Sequence, residues 1–411
     1  MRDYRYAARI TRALSVRGRM LTPAILPAVQ SALRDAGLDG WLLFDFRGLN
    51  PIASGLLALE GMVSRRVFAL IPAHGVPVAI THNIEQRAWA KWPAGWKRER
   101  YSTWSALEEL LAKHVRDKRV AMEYSPGDAV PYLDRTPAGV LELVRAAGAK
   151  VVSSGELVTR FYATLTAEQI ASHERAAAIV AQVGRDSISH AAAHARASNP
   201  LTEHELAGWI MERFARAGVS SDHSPIVAAG ANAANPHYGP SATQPRHIET
   251  GDVLLVDLFA KEPGGVYGDQ TWMGVMGTPT PRAAAVWEAV RDARDAAIAH
   301  VREHAASGRP FSGGDVDDAA RRVVVERGFG EYFTHRTGHS IDARDLHGSG
   351  PHIDNFETRE ERLLIPGVAF SIEPGIYIEG EIGMRCEVNA YIGEHGATIT
   401  PHEYQRELIV A

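Results

Sequence analysis

Cysteine is nearly absent from this 411-residue chain: Cys386 is the single one. That excludes an intramolecular disulfide framework and any cysteine-based zinc site, and it fits a reducing compartment, with the cytoplasm the expected location. No apolar run approaches the length of a signal peptide's core or a membrane span, so no membrane partner is expected. The first twenty residues, MRDYRYAARITRALSVRGRM, carry six arginines. Arginine enrichment of this kind occurs in transit peptides, but Asp3 argues against one, and the chain reads as untargeted. A block of basic charge is missing too. The 44 basic residues are spread along a chain of net charge −5 and sequence pI near 6.4, which leaves no electrostatic footprint for nucleic acid. The one basic aromatic cluster, Trp89, Trp92, Trp96, Lys97, Arg98, Arg100 and Tyr101, is interrupted by Pro93 and Gly95 and reads as surface or interface packing. No phosphate-cradling glycine motif follows a strand, and neither tandem repeats nor low-complexity tracts occur.

What remains is a chain with 45% hydrophobic residues, long enough for two cores. The first 150 or so residues alternate helical and strand patterns, the signature of an α/β layered domain. Thr22 with Pro23 opens a predicted helix that ends at Gly37. Strands are predicted at Trp41 to Phe44, Val67 to Ile71, Val78 to Thr81, Val120 to Met122 and Lys150 to Val152, with helices at Ser105 to Val115 and Val140 to Ala147. A new domain begins near residue 160, where Thr166 and Gln169 form a capping box for a long alanine-rich helix toward Ala195. Thr202 and Glu205 repeat the device for a helix to about Ala217, and further helices are expected near Ala283 to His304 and Gly314 to Arg327. Strands are expected at Val253 to Phe259, Trp272 to Met276, Ala369 to Glu373 and Glu387 to Ile392, which makes this half α+β.

Four carboxylates stand out because they interrupt apolar strand patterns. Asp257 lies within Val253-Leu-Leu-Val-Asp-Leu-Phe, where an ionised acid costs several kcal/mol unless something positive compensates it. Asp269 follows twelve residues later, a distance at which a hairpin brings the two acids together. Adjacent carboxylates repel unless a cation lies between them. Glu373 ends the run Ala369-Phe-Ser-Ile, and Glu387 follows Met384-Arg-Cys. The segment His335-Arg-Thr-Gly-His-Ser-Ile-Asp-Ala-Arg-Asp-Leu-His347 can add an imidazole. Hard oxygen donors with one nitrogen suit Mn²⁺ first, with Co²⁺ or Zn²⁺ as alternatives. Any one of these acids alone reads equally well as a salt-bridge partner or helix cap. Together they read as a metal site.

Asn235-Pro-His-Tyr, Val256-Asp-Leu, Gly268-Asp-Gln-Thr, His335-Arg-Thr-Gly-His and Ile372-Glu-Pro-Gly-Ile-Tyr occur in the order found in the pita-bread metallopeptidases. The chain resembles that family, which includes prolidase, aminopeptidase P and creatinase, and within it most resembles bacterial Xaa-Pro dipeptidases. The resemblance is close from Thr166 onward. It implies a creatinase-type α/β N-terminal domain over 1–160 and a pita-bread α+β catalytic domain over 161–411. It further implies that Asp257 and Glu373 each bind mainly one of two metals, that Asp269 and Glu387 bridge both, and that His339 completes the second metal's shell. Thr271 resembles the family's hydroxyl that orients the bridging acid. His237 and His347 match histidines that stabilise the oxyanion, and Glu373 the group that moves the proton.

The activity implied is hydrolysis of the Xaa-Pro bond of dipeptides by a hydroxide held between two metals. Arg359, in Arg359-Glu-Glu-Arg-Leu-Leu-Ile-Pro-Gly, resembles the arginine that grips a dipeptide's free carboxylate, and Arg385 a family arginine that pairs with the bridging acid or with substrate. Cys386, on the opposite face of its strand, is assigned to packing. Aminopeptidase P, acting on longer Xaa-Pro peptides, and a metal-dependent lyase are the alternatives on the same scaffold. Proline-containing di- or short peptides are the expected partners, and the resemblance implies a homodimer. Four features depart from the pattern. The Asp257 to Asp269 and His339 to His347 intervals are each one residue longer than the family's usual spacing, Trp272 stands where arginine is common, and Ser340-Ile-Asp replaces a glycine-rich continuation.

Overall fold

The computed structural model describes residues 20–61 and 63–411; the reading of the arginine-rich first segment falls on residues 1–19, outside them. The chain divides into two compact units, one ending at Tyr162 and the other starting at Ala163. The α/β and α+β classes expected from the sequence are those observed.

The N-terminal unit is built on a six-stranded sheet. Its strands run in the order Lys97–Tyr101, Val78–His82, Val67–Pro72, Gly40–Asp45, Arg119–Met122, Lys150–Ser153. Gly40–Asp45 is apolar along its length because both faces are covered. Trp41 and Leu43 enter one core with Ile52 and Leu56, whereas Leu42 and Phe44 enter another with Leu107 and Leu111. Unbroken hydrophobic runs are what a doubly covered strand requires.

Two expectations are corrected here, and one strand that the sequence reading did not predict is added. The first helix is Leu26–Asp35, not a helix from Thr22: residues 22–25 form a turn, with the amides of Ile25 and Leu26 both donating to the Thr22 carbonyl. Lys97–Tyr101 is a strand, parallel to Val78–His82 at the sheet's edge. Trp89 and Trp96 are core residues rather than surface ones, and Trp92 meets both edge-on at 5.3 and 4.8 Å.

In the second unit, helices Ala167–Arg196 and Glu203–Arg216 begin at the two expected capping boxes, both fully formed. They pack on a four-stranded sheet ordered Ile409–Val410, Gly268–Val275, Val253–Ala260, Ile226–Ala229. The contact is close because glycines line it: a Cβ on Gly268 would lie 2.6 Å from the Ala177 backbone, and one on Gly184 would lie 2.5 Å from the Trp272 ring. Trp272 thus fills the space that Gly184 leaves. A second four-stranded sheet, ordered Ser340–Ile341, Ala369–Ile372, Val388–Ile392, Ala397–Thr400, and the hairpin Gly375–Ile378 with Ile382–Arg385 complete the β structure. Helices Pro281–Ser307 and Gly313–Glu326 contribute to the core that these strands share.

The strand bearing Asp269 starts four residues earlier than expected, at Gly268, and pairs antiparallel with Val253–Ala260. Asp257 stands opposite Thr271 and Phe259 opposite Asp269, so Asp257, Thr271 and Asp269 share one face. Glu373 and Glu387, expected on strands, sit just beyond them. Glu373 follows Ala369–Ile372, and Glu387 occupies the joint between Ile382–Arg385 and Val388–Ile392. Leaving the ladder allows each to turn toward the face that carries the two aspartates.

Candidate metal and catalytic site

The four acids singled out by sequence, apart from one another by up to 130 positions, gather around the imidazole of His339. Its Nδ1 donates to the Ser340 carbonyl at 3.2 Å, which fixes the tautomer and leaves the Nε2 lone pair facing inward. That lone pair meets Asp269 Oδ2 at 3.2 Å and Glu373 Oε1 at 3.5 Å. Donor atoms of Asp269, His339 and Glu387 all lie within 4.8 Å of one another, and all three residues are buried. Asp257 and Glu373 adjoin them through Arg385, which bonds Asp257 Oδ2 at 2.5 Å and lies 3.9 Å from Glu373 Oε2.

Electron-rich atoms facing one another in a buried space need a proton or a cation between them. Burial lowers the His339 imidazole's proton affinity, so the proton is not favoured there. Burial first, and then repulsion from neighbouring acids, raises Asp257 and Asp269 to about 7 and about 8, and pushes Glu387 well up as well. Burial acts the same way on Glu373, yet His339, Arg385 and His335 together hold its carboxyl below the ordinary range. Glu387 Oε1 is buried with no hydrogen-bond partner among the described residues, whereas its other oxygen accepts from Thr271. An orphaned buried carboxylate oxygen beside an inward-facing imidazole nitrogen fits a divalent cation, and the oxygen-rich donor set fits a hard or borderline one.

A directed hydrogen-bond chain frames the acids. Arg385 donates from Nε to Thr271 Oγ1 at 2.8 Å, and Thr271 passes its own proton to Glu387 Oε2, also at 2.8 Å. Arg385 Nη1 reaches the Tyr377 hydroxyl at 3.3 Å. That hydroxyl lies 2.9 Å from His335 Nε2, and His335 Nδ1 donates to the Arg336 carbonyl at 2.6 Å. Arg385, expected to pair with the bridging acid or with substrate, is buried, and its three guanidinium nitrogens bond Asp257, Thr271 and Tyr377.

His347 is exposed, and its ring lies 4.1 Å from that of His339, centroid to centroid. The adjacent His339, then partial desolvation of the ring, then the Arg336 charge press its pKa down to about 3, and His237 contributes to the same shift. It is therefore a neutral imidazole at neutral pH, able to donate one hydrogen bond. The inserted loop that carries it is stapled by buried Asp342, whose carboxylate accepts from the amides of Arg344, Asp345 and Ser349 at 2.8 to 3.1 Å. His237 is also exposed, on the segment after the 3₁₀ turn Gly230–Ala234, with its amide bonded to Asn235 Oδ1 at 3.0 Å.

The two arginines of the Arg359 segment part company. Arg362 is buried, bonded to Glu360 and to the carbonyls of Ser349 and Gly350 at 2.7 Å. Arg359 is exposed and makes no hydrogen bond or ion pair with any described residue. Cys386 packs, as expected, under Arg294, which donates to its sulfur at 2.8 Å, and burial raises the thiol to about 11.

Sequence reasoning passed over Ser371 and Asn389. The Ser371 hydroxyl accepts from the His339 amide at 2.9 Å and donates to Glu373 Oε1 at 3.0 Å. Asn389 Oδ1 accepts from the Asp269 amide at 2.9 Å. Each is two positions from an acid already identified, so the two-residue strand period is the signal that points to them.

The profile described as Metallopeptidase family M24 matches residues 171–394. A "Probable dipeptidase PepE" of Mycobacterium tuberculosis is 29% identical over 394 residues, covering 94% of this chain and 95% of the relative. An "Xaa-Pro dipeptidase" of Lactobacillus delbrueckii subsp. lactis is 38% identical over 162 residues, covering 39% of this chain and 40% of the relative. Among solved structures, the dipeptidase PepE of Mycobacterium ulcerans aligns with a TM-score of 0.73 at 27% identity, covering 94% of this chain and 97% of that one.

Proposed function

The chain belongs to metallopeptidase family M24, with the two-domain pita-bread fold, and on that footing we propose that it hydrolyses the Xaa-Pro bond of dipeptides using two divalent metal ions. The observation that carries the reading is the His339 lone pair facing the carboxylates of Asp269 and Glu373 at 3.2 and 3.5 Å. We assign Asp257, Asp269, His339, Glu373 and Glu387 to holding the ions, with Mn²⁺ the first choice. Two such ions, when bound, acidify water and polarise the scissile carbonyl.

The protein's own groups account for the rest. Glu373 is held anionic and oriented by Ser371, which suits it to take a proton and return one to the leaving proline nitrogen, a secondary amine. Neutral His347, with His237, supplies hydrogen bonds to the developing oxyanion. Arg385 and Thr271 hold the acids in register. Arg359, exposed and uncommitted, is the candidate to bind a dipeptide's free carboxylate as a guanidinium fork. The N-terminal unit is assigned to the creatinase-like class, the protein to the cytoplasm, and the assembly to a homodimer.

Metal-stripped protein resupplied with Mn²⁺ should cleave Ala-Pro and spare Ala-Pro-Ala. Cleavage of the tripeptide would make the activity that of an aminopeptidase P, and silence on both substrates with metal bound would overturn peptidase action on prolyl bonds.

A further inference from the structure

Glu203 is a buried carboxylate in the first turn of helix Glu203–Arg216, and no basic side chain pairs with it among the described residues. Its two oxygens take up neutral donors instead. Oε1 accepts from the Ala229 amide at 2.6 Å and from Asn232 Nδ2 at 3.1 Å, and Oε2 accepts from the Tyr238 hydroxyl at 2.6 Å. Asn232 Nδ2 also reaches the Tyr238 oxygen at 2.9 Å, closing a three-residue ring of hydrogen bonds. All the donors belong to one stretch, residues 229–238, and that stretch carries His237. On its other side the turn Gly230–Ala234 rests against Gly383, where a Cβ would come within 1.8 Å of the Ala233 carbonyl oxygen.

We propose that Glu203 and Tyr238 are positioning residues: they latch the 229–238 segment so that His237 is held in place for the reaction. The inference rests on the role given to His237 above. A carboxylate is the group this latch requires, because it offers acceptors only, and the segment presents donors only. It also sits where the positive end of the helix dipole favours negative charge, which offsets part of the cost of burying it. The Tyr238 hydroxyl stays protonated throughout the working range, since burial and then the Glu203 hydrogen bond raise it to about 12. A loop histidine depends on such a brace, because a misplacement of about 1 Å in a reacting group costs up to about a hundredfold in rate.

The test is a double-mutant cycle of Tyr238→Phe and His237→Ala, with metal content, thermal midpoint and hydrogen exchange recorded for each variant. Tyr238→Phe removes one hydroxyl and keeps the ring. It should lower kcat by about tenfold or more with KM little changed, leave metal content intact, and speed exchange in residues 229–238 selectively. It should have no effect once His237 is alanine. Glu203→Gln should reproduce the faster exchange, since its amide would set a donor against donors. Equal losses from Tyr238→Phe in both backgrounds, or unchanged exchange in the segment, would overturn the latch while leaving the His237 assignment standing. Full activity in His237→Ala would overturn the assignment and the latch with it.

Discussion

Thr271 gives its hydroxyl proton to Oε2 of Glu387, 116 positions away in sequence, at 2.8 Å. It can do so in one direction only, because its oxygen already accepts from Arg385 Nε. The hydroxyl therefore orients the Glu387 carboxylate, whose Oε1 has no hydrogen-bond partner among the described residues, beside Asp269 and His339. Thr271→Val keeps the β-branched shape and deletes the donor. We expect about 10- to 100-fold weaker Mn²⁺ binding by calorimetry, the range typical for partners of metal ligands, with the fold intact. Thr271→Ser should retain most of the affinity. Unchanged affinity in the valine variant would remove Thr271 from the site.

The metal-free protein should show an unusual pH dependence. Asp257 and Asp269 are raised from the ordinary 3.8 to about 7 and about 8, first by burial and then by repulsion from neighbouring acids, Asp269 and Glu373 for Asp257 and Glu373 for Asp269. Between those limits the folded state holds protons that the unfolded chain has released, so this stabilisation is complete below about pH 4 and is lost as pH rises toward 8. Thermal midpoints in chelator should fall from pH 5 to pH 8.5. Saturating Mn²⁺ should abolish or reverse the slope, since ligands bind metal in their deprotonated form. Parallel slopes with and without metal would mean that the acids are not its ligands.

Much of this architecture was legible in the sequence, for local reasons. Thr166 and Gln169, or Thr202 and Glu205, define a helix start within four residues, and the doubly buried strand at Trp41 to Phe44 is a continuous apolar run. The edge strand Lys97–Tyr101 was not legible, because its residues are largely exposed and polar, and hydrogen bonding to one neighbour holds it. The four acids were conspicuous as polar interruptions of apolar strands. Their frame was not, since Ser371, Asn389 and Tyr377 read as ordinary strand residues until folding places them against their partners. Arg385 shows the same limit. Its sequence position leaves open whether it pairs with an acid or with substrate, and only the fold reveals that its donors reach Asp257, Thr271 and Tyr377.

Arg359 and Arg362, three positions apart, should respond in opposite ways to substitution. Arg362→Ala leaves Glu360 buried without its partner and should destabilise the protein by about 3 to 5 kcal/mol. Arg359→Ala removes an exposed side chain with no partner among the described residues and should change stability by less than about 0.5 kcal/mol. Its effect should appear instead in selectivity, as a rise in KM for Ala-Pro that narrows the gap to Ala-Pro-Ala. If the relative rates on the two peptides stay the same, Arg359 does not read the substrate's carboxylate.

The count of metal ions tests the central claim most directly. Calorimetric titration of metal-free protein with Mn²⁺ at neutral pH, repeated with Glu387→Ala, asks whether the cluster around His339 is a two-ion site. We expect two equivalents per chain in the native protein, accompanied by proton release, and loss of at least one equivalent in the variant. No binding, or binding that Glu387→Ala leaves untouched, would contradict the assignment of these acids and the hydrolytic function built upon it.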